Sequence, residues 1–133
     1  MVRIAVVNDN PELLDLMGDI CQDDGYSTTL IESLRGDVFE QICRSEPDLL
    51  LINLRHGTDA IRGWEIVQEL RRTSGCEDLP VVMCSADVDA LNRVEPDLQQ
   101  DGRIVPLKLP FELEELEGSI KALAARGEAF GCS

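Results

Sequence analysis

No stretch of this sequence approaches the roughly 18 consecutive apolar residues that a membrane-spanning helix requires. Basic residues are scarce as well. Lysine and arginine number 12 against 26 aspartates and glutamates, leaving a net charge of −14. Such a field repels phosphate backbones and anionic lipid headgroups, so direct binding of nucleic acid or of a membrane surface is not expected. Histidine occurs once, as His56, and the cysteines Cys21, Cys43, Cys76, Cys84 and Cys132 include no C-x-x-C pair. A zinc-type ligand cluster is therefore not expected, and neither is a disulfide framework. Buried, reduced thiols are the expectation, with Cys132, next to the carboxyl end, the one that oxidises freely. The glycine-rich cradles G-x-G-x-x-G and P-loop are also missing. No catalytic triad or carboxylate pair can be read, so enzymatic activity is not indicated. The chain begins on an apolar strand pattern where a leader would carry charge, and a cytoplasmic protein is expected.

What the chain does contain is an alternation of short apolar runs with amphipathic stretches. Arg3 to Val7 reads as a buried first strand, and Asn10-Pro11 opens a helix in which Leu13, Met17, Ile20 and Cys21 recur at helical spacing before Gly25. Tyr26 to Ile31 is β-branched and aromatic, and Val38, Phe39, Ile42 and Cys43 follow at helical intervals up to Pro47. Asp48 to Leu54 is the most apolar run, the kind of strand covered by helices on both faces, which predicts a place at the sheet centre. Trp64, Ile66, Val67 and Leu70 then mark a helix ending near Ser74-Gly75, with Trp64 as a core anchor. Pro80 to Ser85 gives a fourth strand. Pro96 interrupts the sparse apolar pattern of 86–102, so a short or irregular fourth helix is expected there. Ile104 to Leu107 is a fifth strand, and Leu113, Leu116, Ile120 and Leu123 form the clearest helical stripe. Five strand–helix units in 133 residues predict one α/β domain, a doubly wound parallel sheet, over residues 1–126 with a short tail at 127–133.

In such a sheet, ligands gather at the carboxyl ends of the strands. The first, third and fourth strands would deliver Asn8-Asp9-Asn10, Asn53 and Ser85 to one crevice, with Lys108 near the end of the fifth. His56, alone in the polar loop at 55–60, is expected to be solvated.

Four landmarks in order, Val6 to Pro11, Pro47 to Leu54, Arg62-Gly63-Trp64-Glu65 and Pro110 to Leu116, resemble response-regulator receiver domains from Val2 to about Arg126. The resemblance implies a flavodoxin-like strand order 2-1-3-4-5. It also implies that Asn53 stands where the family has its phosphate-accepting aspartate, and Asn8-Asp9 where an acidic pair helps hold magnesium. A carboxylate oxygen attacks phosphorus with a full negative charge, whereas an amide oxygen is neutral and shares its lone pair with nitrogen. Asn53 is therefore not expected to form an acyl phosphate. Of the three aligned positions only Asp9 remains acidic, so weak or absent magnesium binding is expected, and no other cofactor. The family's lysine precedes the proline matching Pro110, but Leu109 occupies that place and Lys108 lies one residue early. In a strand that offset turns a side chain to the other face. Ser85 matches the family's serine or threonine switch, with neighbouring polar groups as its simplest partners. Gly57 in the loop after Asn53 replaces the family's proline.

The function these residues imply is a phosphorylation-independent regulatory module that binds a protein partner, a histidine kinase or a regulatory target. A homodimer through the fourth helix, fifth strand and fifth helix is possible by resemblance. Two alternatives compete with it: a phosphorelay receiver modified elsewhere, at Asp9, a nearby serine or a deamidated Asn53, and a flavin- or nucleotide-binding protein on the same sheet.

Overall fold

A computed structural model describes residues 2–33 and 36–131, with 125–131 by backbone alone. The strands are β1 (Arg3–Asn8), β2 (Ser27–Glu32), β3 (Leu49–Asn53), β4 (Val81–Ser85) and β5 (Ile104–Lys108). Between and after them run α1 (Pro11–Asp23), α2 (Val38–Ser45), α3 (Arg62–Arg71), α4 (Val88–Asp101) and α5 (Leu113–Gly131). All neighbouring strands pair in parallel, in the order β2-β1-β3-β4-β5. The expected sheet and its order are thus observed, with β3 at the centre.

The unbroken apolar character of the central strands follows from this placement, because successive side chains point to opposite faces and both faces are covered. Ala5, Val7, Leu50, Ile52, Val81 and Met83 face α2, α3 and α4, whose Ile42, Ile66, Val67, Leu70, Leu91, Val94 and Leu98 complete one cluster. Ile4, Val6, Leu49, Leu51, Val82 and Cys84 face the other way, onto Leu14, Met17 and Cys21 of α1 and Leu116, Ile120 and Leu123 of α5. Burying each such leucine or isoleucine contributes about 1.5–3 kcal/mol. Two packed layers therefore hold the strand ends in fixed register.

The helix termini are set locally. The Asn10 side chain caps α1 by accepting from the backbone N–H groups of Glu12 and Leu13, with Pro11 in the first turn where its missing donor costs nothing. Gly25, at φ +91, takes the left-handed turn that ends the helix.

Three expectations need correction. The fourth helix is neither short nor irregular, since α4 runs 14 residues through Pro96. Ala90, Leu91, Val94 and Leu98 bury one face at helical spacing, while Pro96 and the Asn92 whose carbonyl it cannot serve both lie on the exposed face, where an unmade bond costs least. Leu113 does not share the buried stripe of α5 and is 47% exposed in the first turn. Cys21 and Cys84 are buried, but Cys43 and Cys76 are only half-buried at the rim of the core. Cys132 lies outside the described residues. Trp64 packs, half-buried, against the α2–α3–α4 side of the core. No described helix is long and apolar enough to cross a membrane.

Candidate functional site

The carboxyl ends of β1, β3 and β4 open onto a cleft of about 330 Å³. Asn8, Asp9, Asn10, Asn53 and Ser85 all line it, joined by Arg55, Asp87, Leu13 and Leu109. The predicted crevice residues are therefore brought together. Lys108 is not among them. It pairs in register with Ser85, but its side chain is exposed and Leu109 presents an apolar wall in its stead.

Hydrogen bonds fix most of the polar groups. Asn8 Oδ1 accepts from the Asn10 backbone N–H at 2.9 Å, which turns the chain sharply at the end of β1. Asn53 Nδ2 donates to the Arg55 carbonyl at 2.7 Å. The Asp9 carboxylate accepts from the Gly57 N–H at 3.0 Å, which ties the loop after β3 back to the loop after β1. Across the mouth, Arg55 Nη2 meets Asp87 Oδ2 at 2.9 Å. The Ala90 backbone N–H, with the Arg55 guanidinium, holds the Asp87 carboxyl below the usual aspartate value. Ser85 Oγ donates to the Asp87 carbonyl and accepts from the Asp87 N–H, so its hydroxyl is occupied within its own turn. Asn8 Nδ2 and Asn53 Oδ1 are buried with no partner among the described residues.

His56, expected in solvent, is instead buried at 6% exposure. The segment 56–59 folds on itself through a bridge between His56 and Asp59, which drops the imidazole onto the end of β3. Its Nε2 lies 2.6 Å from the Asn53 backbone carbonyl. A carbonyl only accepts, so Nε2 carries the proton and Nδ1 is the bare acceptor, itself buried and unpartnered. Burial pushes the His56 pKa below the usual 6.5, outweighing the hydrogen bond to Asn53 and the nearby Asp9. The unfolded chain then binds the proton more readily than the folded one between the folded pKa and 6.5. The resulting stability is complete above 6.5 and declines as pH falls below it. Thermal melts from pH 7.5 to 5.5 should show the midpoint falling on the acid side, and His56→Gln should flatten that slope. An unchanged slope in the variant would show that His56 is not the titrating group.

A second, larger cleft of about 410 Å³ lies at the opposite end of the sheet, lined by Arg71, Glu77, Asp78, Asp101, Gly102 and Arg103. Its charges satisfy one another. Arg71 grips Asp101 at 2.8 and 3.0 Å, and Arg103 reaches Asp78 at 2.8 Å. That pairing is structural, and sequence reasoning did not find it.

Among the described residues no three histidine, cysteine, aspartate or glutamate side chains converge as metal ligands. In the strand-end cleft Asp9 and Asp87 are the carboxylates, and both are engaged, with Gly57 and with Arg55. Of the two, Asp9 is the carboxylate beside Asn8 and Asn53, where a hard dication would look for anionic oxygens, and it already accepts from Gly57.

Residues 4–120 match the family model described as response regulator receiver domain. Similar curated proteins include the DNA-binding dual master transcriptional regulator RpaA of Synechocystis sp., 27% identical over 129 residues, which cover 95% of this chain and 50% of that protein. Another is the transcriptional regulatory protein BaeR of Escherichia coli O6:H1, 36% identical over 94 residues, covering 69% of this chain and 36% of that protein. The chain thus spans half or less of the length of these relatives. Among solved structures, Vibrio cholerae chemotaxis protein CheY4 aligns with a TM-score of 0.79 at 18% identity, over 92% of this chain and 98% of that one. A response regulator receiver domain protein from Clostridium thermocellum aligns at 0.78 and 17%, over 98% and 99%. These structural likenesses are likenesses of fold. The relatives are regulators, which sets aside the flavin- or nucleotide-binding alternative.

Proposed function

Because this chain belongs to the family of response regulator receiver domains, we propose that it works in signal transduction by binding a protein partner without being phosphorylated. One observation carries this reading. The group at the end of the central strand is the Asn53 amide, with its Nδ2 turned to the Arg55 carbonyl, where the family resemblance implies a carboxylate that attacks phosphorus. A neutral amide oxygen lacks the charge for that attack. The surrounding loop supports a fixed conformation, since it is tied by Asn53 to Arg55, by His56 to Asn53, by Gly57 to Asp9 and by Arg55 to Asp87.

The alternative of an acceptor elsewhere in the cleft is less well supported. The Asp9 carboxylate is held by Gly57, and the Ser85 hydroxyl is committed to its own turn. No cofactor is needed, and magnesium binds weakly at most through Asp9. The partner would be a histidine kinase or a regulatory target, with a second copy meeting it through α4, β5 and α5 as in the family resemblance. Catalysis forms no part of this role, and its setting is the cytoplasm. Residues 1–126 form the working unit.

Amide NMR spectra recorded with and without millimolar magnesium and beryllofluoride, a phosphoryl mimic that needs an aspartate oxygen, test the reading. Unchanged cross-peaks for Asp9, Asn53 and Ser85 are expected. Saturable shifts at those residues that require beryllofluoride, beyond any that magnesium alone produces, would overturn it.

A further inference from the structure

We infer that the loop at 55–59 is a latch over the mouth of the Asn53 cleft, pinned by His56 and released by acid. The pin is geometric. His56 is 6% exposed, with Nε2 2.6 Å from the Asn53 carbonyl. The chain doubles back around it, the His56 N–H donating to the Asp59 carbonyl at 3.0 Å and the Asp59 N–H to the His56 carbonyl at 3.1 Å. With the ring seated, the Gly57 N–H reaches Asp9, the Arg55 carbonyl receives Asn53 Nδ2 and the Arg55 guanidinium meets Asp87. Asp87 in turn caps α4 by accepting from the Ala90 N–H at 3.0 Å. One imidazole thus anchors a chain of contacts from the end of β1 to the start of α4.

The closed latch leaves polar groups unmet. Of the four buried side-chain atoms without a partner among the described residues, Asn8 Nδ2, Asn53 Oδ1 and His56 Nδ1 belong to this corner. A buried donor or acceptor left unpaired costs free energy that water restores once the loop opens, which brings the open form closer in free energy to the closed one.

A second proton on the ring decides between them. It goes to Nδ1, because Nε2 already carries one for the Asn53 carbonyl, and there it finds no acceptor among the described residues. Burial opposes the charged ring most and Arg62, at the start of α3, adds to that, while the Asn53 hydrogen bond, Asp9 and Asp59 favour it. The balance holds the seated ring below 6.5, and the released ring returns to its ordinary value. The closed form is therefore fully favoured above 6.5 and gives way as pH falls below it. Release lets Gly57 leave Asp9 and Arg55 leave Asp87, so the surface at the starts of α3 and α4 changes with no phosphoryl group. As an input to a module that is not phosphorylated, the latch rests on the function proposed above; its test uses no phosphodonor, so either can fail without the other.

NMR spectra of the full chain are followed from pH 7.5 to 5.5. The His56 ring signals should titrate with a midpoint below 6.5. The amide signals of Gly57, Asp59, Gly63 and Ala90 should move with that same midpoint, while those of Leu50, Leu51 and Val82 in the sheet stay in place. Exchange protection of the Gly57 and Asp59 N–H groups should fall several-fold and by no more than about tenfold, the limit for one histidine regaining its ordinary pKa over this range. His56→Gln, whose amide still donates to the Asn53 carbonyl but does not titrate, should lose the transition. A ring that titrates while those amides stay still, or a transition that survives in His56→Gln, would overturn the latch. Should the variant unfold, the wild-type midpoints decide alone, and unequal midpoints for ring and amides would overturn it.

Discussion

Replacing Gly63 by alanine is expected to destabilise the fold by about 3 kcal/mol, a drop of about 10 °C in thermal midpoint. A Cβ on Gly63 would stand 2.3 Å from the Asn53 carbonyl oxygen and 3.0 Å from the Leu54 Cα, both backbone atoms that no rotamer change can move. The Gly63 N–H also donates to the Leu54 carbonyl at 2.8 Å, so the first turn of α3 rests directly on the end of β3. To make room, α3 would have to lift from the central strand. The Asn53 carbonyl that would be displaced is the one that receives His56, so the loop around the cleft should loosen too. Gly118 is the control. It lies in α5 with nothing within 4 Å of its would-be Cβ, and Gly118→Ala should stabilise by about 0.5–1 kcal/mol through helix propensity alone. Thermal melts of the two variants should therefore move in opposite directions, and a neutral Gly63→Ala would show that the α3–β3 contact is looser than described.

Arg71→Ala should cost about 1.5–3 kcal/mol, because it takes the two-pronged Arg71 contact from the largely buried Asp101 carboxylate and leaves it the Arg103 N–H. The guanidinium holds Asp101 through Nε and Nη2 in a two-pronged grip and reaches the Leu79 carbonyl through Nη1 at 2.8 Å. The two side chains are 16% and 12% exposed on the wall of the cleft, so solvent screens the pair only in part. Burial opposes ionisation of Asp101, but the Arg71 guanidinium outweighs it and holds the carboxyl below its usual 3.8. That contribution is complete above 3.8 and is lost as pH falls through the folded value. Urea melts of Arg71→Ala should show the full loss, whereas Arg71→Met combined with Asp101→Leu should recover most of it by removing both charges. A double variant no better than the single one would mean that the carbonyl contacts dominate.

Much of this architecture is legible in the sequence where burial is two-sided. Residues 49–52 are apolar at every position because β3 is covered above and below, so both its existence and its central place can be read from the run itself. The cleft is legible for the same reason, since Asn8, Asn53 and Ser85 are the residues at which buried strands end. Helix α4 was not, because a proline penalty is local while the burial of Leu91, Val94 and Leu98 that overrides it is tertiary. His56 was misread for a related reason. A lone histidine in a polar loop carries no pattern, and its burial depends on the loop folding back to Asp9 and Asp59. Arg71 and Asp101 are 30 residues apart and meet only once the sheet is assembled, so no spacing rule could pair them.

The central claim is that the Asn53 amide cannot accept a phosphoryl group and that no other residue takes over the task. Intact-mass spectrometry of the pure chain after incubation with acetyl phosphate and magnesium tests this most directly. The protein should remain at its unmodified mass throughout. A stable or hydrolysable adduct of one phosphoryl group, on Asp9, a cleft serine or any other side chain, would contradict the account.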